Sequence, residues 1–205
     1  MRKQDITTRR VGAIEVICGC MYSGKTEELI RRVKREIIAH NDVLFFNSHL
    51  HTRYSVESIT THRGKRLETQ QVPESSSEYL RRMIDPQKVD AVAIDEVQFF
   101  DEGIVALCDW LADQGVRVIV AGLDMDFRGE PFPGPMSALL AKADKLLKLN
   151  AICEICGAPA TRSQRLMDGK PAKWDEAILV VGAHENYEAR CREHHEIERP
   201  DPSKT

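Results

Sequence analysis

The chain has 205 residues, with 29 Lys and Arg against 32 Asp and Glu and a formal charge of −3. That length allows one ordinary domain plus a small appendage and excludes two large ones. Interspersed charges near neutrality exclude a sequence-wide field for nucleic acid or an anionic membrane, so a small-molecule substrate is expected and neither of those partners is.

The start, "MRKQDITTRR", is basic, but no long apolar stretch or small-residue cleavage site follows, and no apolar run reaches membrane-spanning length. A soluble cytoplasmic protein is expected. Residues 12–18 are largely apolar and β-branched, which predicts a strand covered on both faces. From Thr26 to His40, Leu29, Ile30, Val33, Ile37 and Ile38 fall on one helical stripe. "DVLFFNS" reads as a second strand, and the polar segment from Ser48 to Arg66 as a long loop of the kind that often serves function.

"LETQQV" predicts a short strand and Ser75 to Ile84 a helix. Val89 to Ile94 carries the clearest buried-strand signal and runs into two carboxylates. Glu102 to Gln114 predicts a helix with Ile104, Val105, Leu107, Cys108 and Leu111 inward, closed by Gly115, and "VRVIVAGLD" another buried strand. "MDFRGEPFPGPM" is too rich in Gly and Pro for a helix or central strand, Ser137 to Leu146 predicts a helix, and 197–205 reads as a disordered tail. Strands alternating with helices define an α/β class with a mostly parallel sheet.

Gly19-x4-Gly24-Lys25-Thr26 lies between a predicted strand and a predicted helix, the context a phosphate loop requires. Backbone N–H groups from Gly19 through Cys20, Met21, Tyr22, Ser23 and Gly24 would converge on phosphate oxygens at a helix N-terminus. Lys25 would neutralise the β and γ phosphates, and Thr26 would ligate Mg²⁺. Asp95, at the end of an aliphatic strand, takes the position where phosphate-loop proteins hold Mg²⁺ through a carboxylate, with Glu96 beside it as the candidate general base. The set assigned to ATP and Mg²⁺ extends through Val97 and Gln98. These residues leave open whether Glu96 serves a water, making an ATPase, or a substrate hydroxyl, making a kinase.

Six cysteines occur, at 18, 20, 108, 153, 156 and 191. The first three read as buried small apolar residues. Cys153-x2-Cys156 and Cys191-x2-His194 form two chelating pairs, the ligand set of a closed structural Zn²⁺ site. His195 and His184 are neighbouring alternatives; His194 is preferred because its spacing mirrors the first pair.

Together these pieces resemble the type II thymidine kinases, through "GCMYSGKTEELI", "TRYS" at 52–55, "AIDEVQFF", "GLDMDFRGEPF", "LNAICEICGAPATRSQR" and "GAHENYEARCREHH". The resemblance implies a RecA-like P-loop domain over 1–148, a ribbon-like zinc-binding lasso domain over 149–196 and a tail from 197. It implies ATP-dependent phosphorylation of the 5′-hydroxyl of thymidine or deoxyuridine, with Mg²⁺ and a structural Zn²⁺, in a homotetramer. Glu96 matches the catalytic base and Arg53 a phosphate-contacting arginine that acts with Lys25. Met21, Phe99, Leu123, Phe127 and Phe132 match walls of the thymine pocket, Ser163 stands where many relatives have Thr, and Tyr187 matches the lasso tyrosine. One departure is His51, where the family usually has an acid; Asp42 or another acid compensates, or the metal relies on Thr26 and Asp95. A second is Pro133, which lengthens the segment after Phe132 by one residue. The competing reading is a P-loop ATPase whose zinc module acts on nucleic acid or a partner protein.

Overall fold

Ile14, Val16 and Cys18 alternate with Ile17 along β1 (Ala13–Gly19), and both sets are buried, so helices must cover both faces of the sheet it joins. The computed structural model describes residues 11–48, 59–60, 66–67, 69–178 and 187–199. Helix α1 (Lys25–Ile38) leads to β2 (Val43–Ser48); β3 (Ile59–Thr60) and β4 (Arg66–Leu67) pair antiparallel; β5 (Thr69–Val72) follows. Next come α2 (Ser77–Met83), β6 (Ala91–Asp95), α3 (Gly103–Asp113), β7 (Arg117–Gly122), α4 (Met136–Lys142) and β8 (Lys145–Leu149). The central sheet has six strands in the order β5-β2-β6-β7-β1-β8, and every adjacent pair is parallel. The predicted α/β class with a parallel sheet is what the chain adopts.

One face of the sheet packs Ile17, Phe45, Ala93, Ile119 and Ala121 against Leu29, Val33 and Ile37 of α1. The other packs Val16, Cys18, Val92, Ile94 and Val118 against Leu80 of α2, Ile104, Leu107 and Leu111 of α3, and Met136 and Leu139 of α4. Cys18, Cys20 and Cys108 are buried, as expected. Among the described residues no helix is long and apolar enough to cross a membrane.

Two expectations about elements are corrected. The helix expected over Ser137 to Leu146 ends at Lys142, and 145–149 form β8, the sheet's edge strand. Asp144 makes that turn possible: its carboxylate accepts the Ile14 N–H at 2.8 Å and its own N–H donates to Ile14 O at 2.9 Å, which seats β8 beside β1. Ile38, expected on the buried stripe of α1, is 70 % exposed, because the helix stops there and Ile37 takes the last inward position.

At the amino ends of β1, β7 and β8, the carboxylate of Glu15 is buried and accepts from Arg32 at 2.8 Å, Arg117 at 2.8 and 3.0 Å and Lys145 at 3.0 Å. Burial pushes Glu15 up, but the hydrogen bonds and charges of Arg117 and Lys145 outweigh it and hold the carboxyl at about 2.

Beyond β8, β9 (Ala151–Ile152) and β10 (Pro159–Ala160) form a small hairpin. A second sheet joins β11 (Arg162–Met167) antiparallel to β12 (Lys170–Pro171) and β13 (Tyr187–Arg190).

Candidate active site and metal centre

The loop from Gly19 to Thr26 connects the carboxyl end of β1 to α1. Gly19 has φ +147°, and a Cβ there would sit 2.4 Å from Leu149 O, so only glycine fits between the loop and β8. Gly24, at φ 85°, ends the loop in the left-handed region and starts α1, whose first-turn Glu27 and Glu28 favour the helix dipole. The buried Lys25 ammonium donates to Cys20 O at 2.8 Å, and Ser23 Oγ donates to the same carbonyl at 2.8 Å. The loop is therefore closed on itself by its own cation.

Asp95, at the end of β6, faces the first turn of α1: Thr26 Oγ1 donates to its Oδ2 at 2.8 Å, and Glu96 N–H donates to Oδ1 at 3.0 Å. Burial above all, then the neighbouring Glu96 charge, pushes the Asp95 carboxyl up to about 7, against the Thr26 and Glu96 hydrogen bonds and the Lys25 charge. A hydroxyl and a carboxylate at this spacing are hard oxygen donors that fit Mg²⁺.

Glu96 has φ 52° and ψ 41°, a left-handed conformation that costs a non-glycine residue about 1–3 kcal/mol and persists only when its surroundings enforce it. Its N–H is bonded to Asp95 Oδ1 and its C=O accepts Phe99 N–H at 3.1 Å, while its carboxylate is held by Gln98, 3 % exposed, whose Nε2 donates to Glu96 Oε2 at 2.6 Å and whose Oε1 accepts Leu123 N–H at 3.1 Å. Val97, grouped with the ATP site from sequence, sends its side chain into the core on the α2–α4 side.

The other wall of the loop comes from the C-terminal segment. Met21 N–H donates to Ser163 Oγ at 3.0 Å, Cys20 Sγ to Ala160 O at 3.3 Å and Tyr22 OH to Tyr187 O at 3.2 Å. Phe99 meets Phe132 edge to face, with centroids 6.0 Å apart and planes at 83°. Phe127 is buried, its carbonyl bonded to His195 Nε2 at 2.9 Å, and the Arg128 and Arg165 guanidiniums lie 5.3 and 5.4 Å from its ring centre. Arg165 is 2 % exposed and donates to Ala177 O; burial pushes the Tyr187 hydroxyl above its ordinary range, against the pull of the Arg165 charge. Leu123 and Met21 are half-buried at this junction.

Nothing local in the sequence marks Arg165; its place depends on Phe127, which is distant in sequence. Arg53 and His51 lie outside the described residues. Asp42, considered as a compensating acid, does not reach this site: it precedes β2, and its N–H and C=O pair with Asp90 beside the amino end of β6, whereas the phosphate loop lies at the carboxyl ends of the strands.

Cys153, Cys156, Cys191 and His194 converge, their donor atoms all within 4.8 Å of one another. Cys191 Sγ is 3.2 Å and Cys153 Sγ 3.9 Å from His194 Nδ1, and the Cys156 and Cys191 sulfurs are 3.8 Å apart. Burial raises the Cys153 thiol, but N–H groups of Cys191, Cys156 and Ile155 outweigh it and bring the thiol down to about 6, which favours the thiolate a metal needs. Three sulfurs and one imidazole suit tetrahedral Zn²⁺. His195 is committed to Phe127 and is not part of this cluster, and His184 lies outside the described residues.

A parallel α/β sheet with a glycine loop on β1, a Thr–carboxylate pair across from it and a metal-knuckle segment bonded to it is the arrangement of a phosphate-loop enzyme, hydrolase or phosphotransferase. Residues 12–195 match the family described as thymidine kinase, and the chain belongs to that family, whose enzymes phosphorylate thymidine.

Proposed function

We propose that this chain transfers the γ-phosphoryl group of ATP to the 5′-hydroxyl of thymidine, and of deoxyuridine, to give the monophosphate. The observation that supports it most is the Thr26–Asp95 hydrogen bond, which sets Glu96 beside the phosphate loop in a chain of the thymidine kinase family. Glu96 accepts the proton as the 5′-oxygen forms its bond to the γ-phosphorus and the bond to the ADP oxygen breaks. Lys25 leaves Cys20 O for the phosphates, and with Arg53 it balances the charge on the transferring group. Thr26 and Asp95 would hold Mg²⁺, which would supply positive charge to the phosphate oxygens.

Met21, Leu123, Phe99, Phe127 and Phe132 form the apolar walls for the base, with Tyr187 and Ser163 closing them from the C-terminal lobe. The four-ligand cluster carries a structural Zn²⁺ that shapes this lobe, and the chain assembles as a homotetramer. The assay is incubation with Mg-ATP and each of the four deoxynucleosides plus deoxyuridine. A monophosphate from thymidine and deoxyuridine is expected. ATP hydrolysis stimulated by polynucleotide, with no nucleoside product, would overturn the reading in favour of an ATPase. Light scattering of the purified chain tests the tetramer.

A further inference from the structure

Asn47 is the next-to-last residue of β2 and the direct neighbour of Asp95 on β6. The preceding pair in the same register, Phe45 and Ala93, packs against α1, so two residues further along both strands Asn47 and Asp95 face that side as well. Asp95 confirms the direction by receiving the Thr26 hydroxyl from the first turn of α1. Asn47 is 4 % exposed, and its Oδ1 is buried with no hydrogen-bond partner among the described residues. A buried amide oxygen left without a donor is destabilising, and a Leu or Val would fill the end of this strand at no such cost. Each oxygen of Asp95 already accepts one hydrogen bond, from Thr26 and from Glu96, so Asn47 Oδ1 is the neighbouring oxygen that still lacks a donor.

We propose that Asn47 belongs to the cation site of the phosphate loop, its Oδ1 accepting a hydrogen bond from a water on the bound Mg²⁺. Mg²⁺ gives up its waters reluctantly and is commonly held through them, so the donor that Asn47 lacks is what a hydrated cation beside Asp95 provides. The amide is neutral, so it orients the hydrated ion without adding charge next to Asp95 and Glu96. This inference rests on the proposed Mg-ATP site, and its test separates the two.

ATP binding is measured by calorimetry across a Mg²⁺ titration and again in EDTA, for the parent chain, Asn47→Leu and Asn47→Asp. Outer partners of a metal site change its affinity by about 10- to 100-fold when removed. Asn47→Leu is expected to need roughly tenfold more Mg²⁺ for half-maximal effect while keeping parental affinity in EDTA. Asn47→Asp is expected to need several-fold less, since it adds charge at the same place. Parental Mg²⁺ dependence in Asn47→Leu, or an equal loss in EDTA, would overturn the inference and leave Asn47 a packing residue. Should Asn47→Leu fail to fold, Asn47→Asp decides, and unchanged Mg²⁺ dependence there overturns it. A parent chain that binds ATP without any response to Mg²⁺ would refute the proposed metal site itself rather than the part played by Asn47.

Discussion

Gln98 and Glu96 are joined by a 2.6 Å hydrogen bond, and the far end of the same amide is fixed by the Leu123 backbone. A carboxylate in a left-handed backbone conformation is thereby given one orientation before any substrate arrives. Glu96→Gln should keep ATP affinity and lose about 10²- to 10⁴-fold in kcat, the range general-base catalysis supplies. Gln98→Leu should lower kcat by about tenfold with little change in KM for ATP, because the base is still present but no longer aimed. Steady-state kinetics on both variants checks this; full activity in Glu96→Gln would remove it as the base.

Ser163 joins the phosphate loop to β11 through the Met21 N–H. Ser163→Ala leaves that amide without its partner, at a cost of about 1–2 kcal/mol. The loss should fall on the loop, raising KM for both substrates more than it lowers the thermal midpoint. Ser163→Thr restores the hydroxyl and should recover most of the parental values.

The four-ligand cluster predicts one zinc per chain by elemental analysis, with removal by a strong chelator unfolding the C-terminal lobe. Cys20 of the phosphate loop lies in the same buried cluster as Cys153 and Cys191. Cys156→Ser, which removes a ligand on the exposed side, should therefore weaken ATP binding as well as stability, although it stands outside the nucleotide site. Parental ATP affinity in a zinc-free variant would separate the two.

Glu15 gives the fold a defined acid response. Its carboxyl is held at about 2 in the folded chain, below its ordinary value near 4.3. The stabilisation is therefore complete above about pH 4.3 and is lost as pH falls toward 2. Glu15→Gln leaves Arg32, Arg117 and Lys145 without their shared carboxylate and should cost about 3 kcal/mol at pH 7. Urea midpoints of parent and variant should converge as pH approaches 2; a constant difference across that window would show that Glu15 acts by packing alone.

What could be read in the sequence was local. The glycine loop, the aliphatic strand ending in Asp95 and Glu96 and the paired Cys/His knuckles each carry their chemistry within a few adjacent residues, and the structure brings each to a coherent place. β8 escaped because its residues at 145–149 are mostly exposed or half-buried at a sheet edge, so its apolar residues extended a helical pattern instead of marking a strand. The direction of Gln98, the commitment of His195 to Phe127 and the position of Asp42 at the wrong end of β2 all depend on pairing across the fold.

The three bonds from Cys20, Met21 and Tyr22 to Ala160, Ser163 and Tyr187 make the C-terminal segment one bank of the phosphate loop. The α/β sheet and the metal lobe are consequently not exchangeable modules. A fragment cut after β8 would keep every residue of the nucleotide-binding motif and still lose the three bonds that tie residues 20–22 to the C-terminal segment, so a graft of the motif has to carry that segment with it.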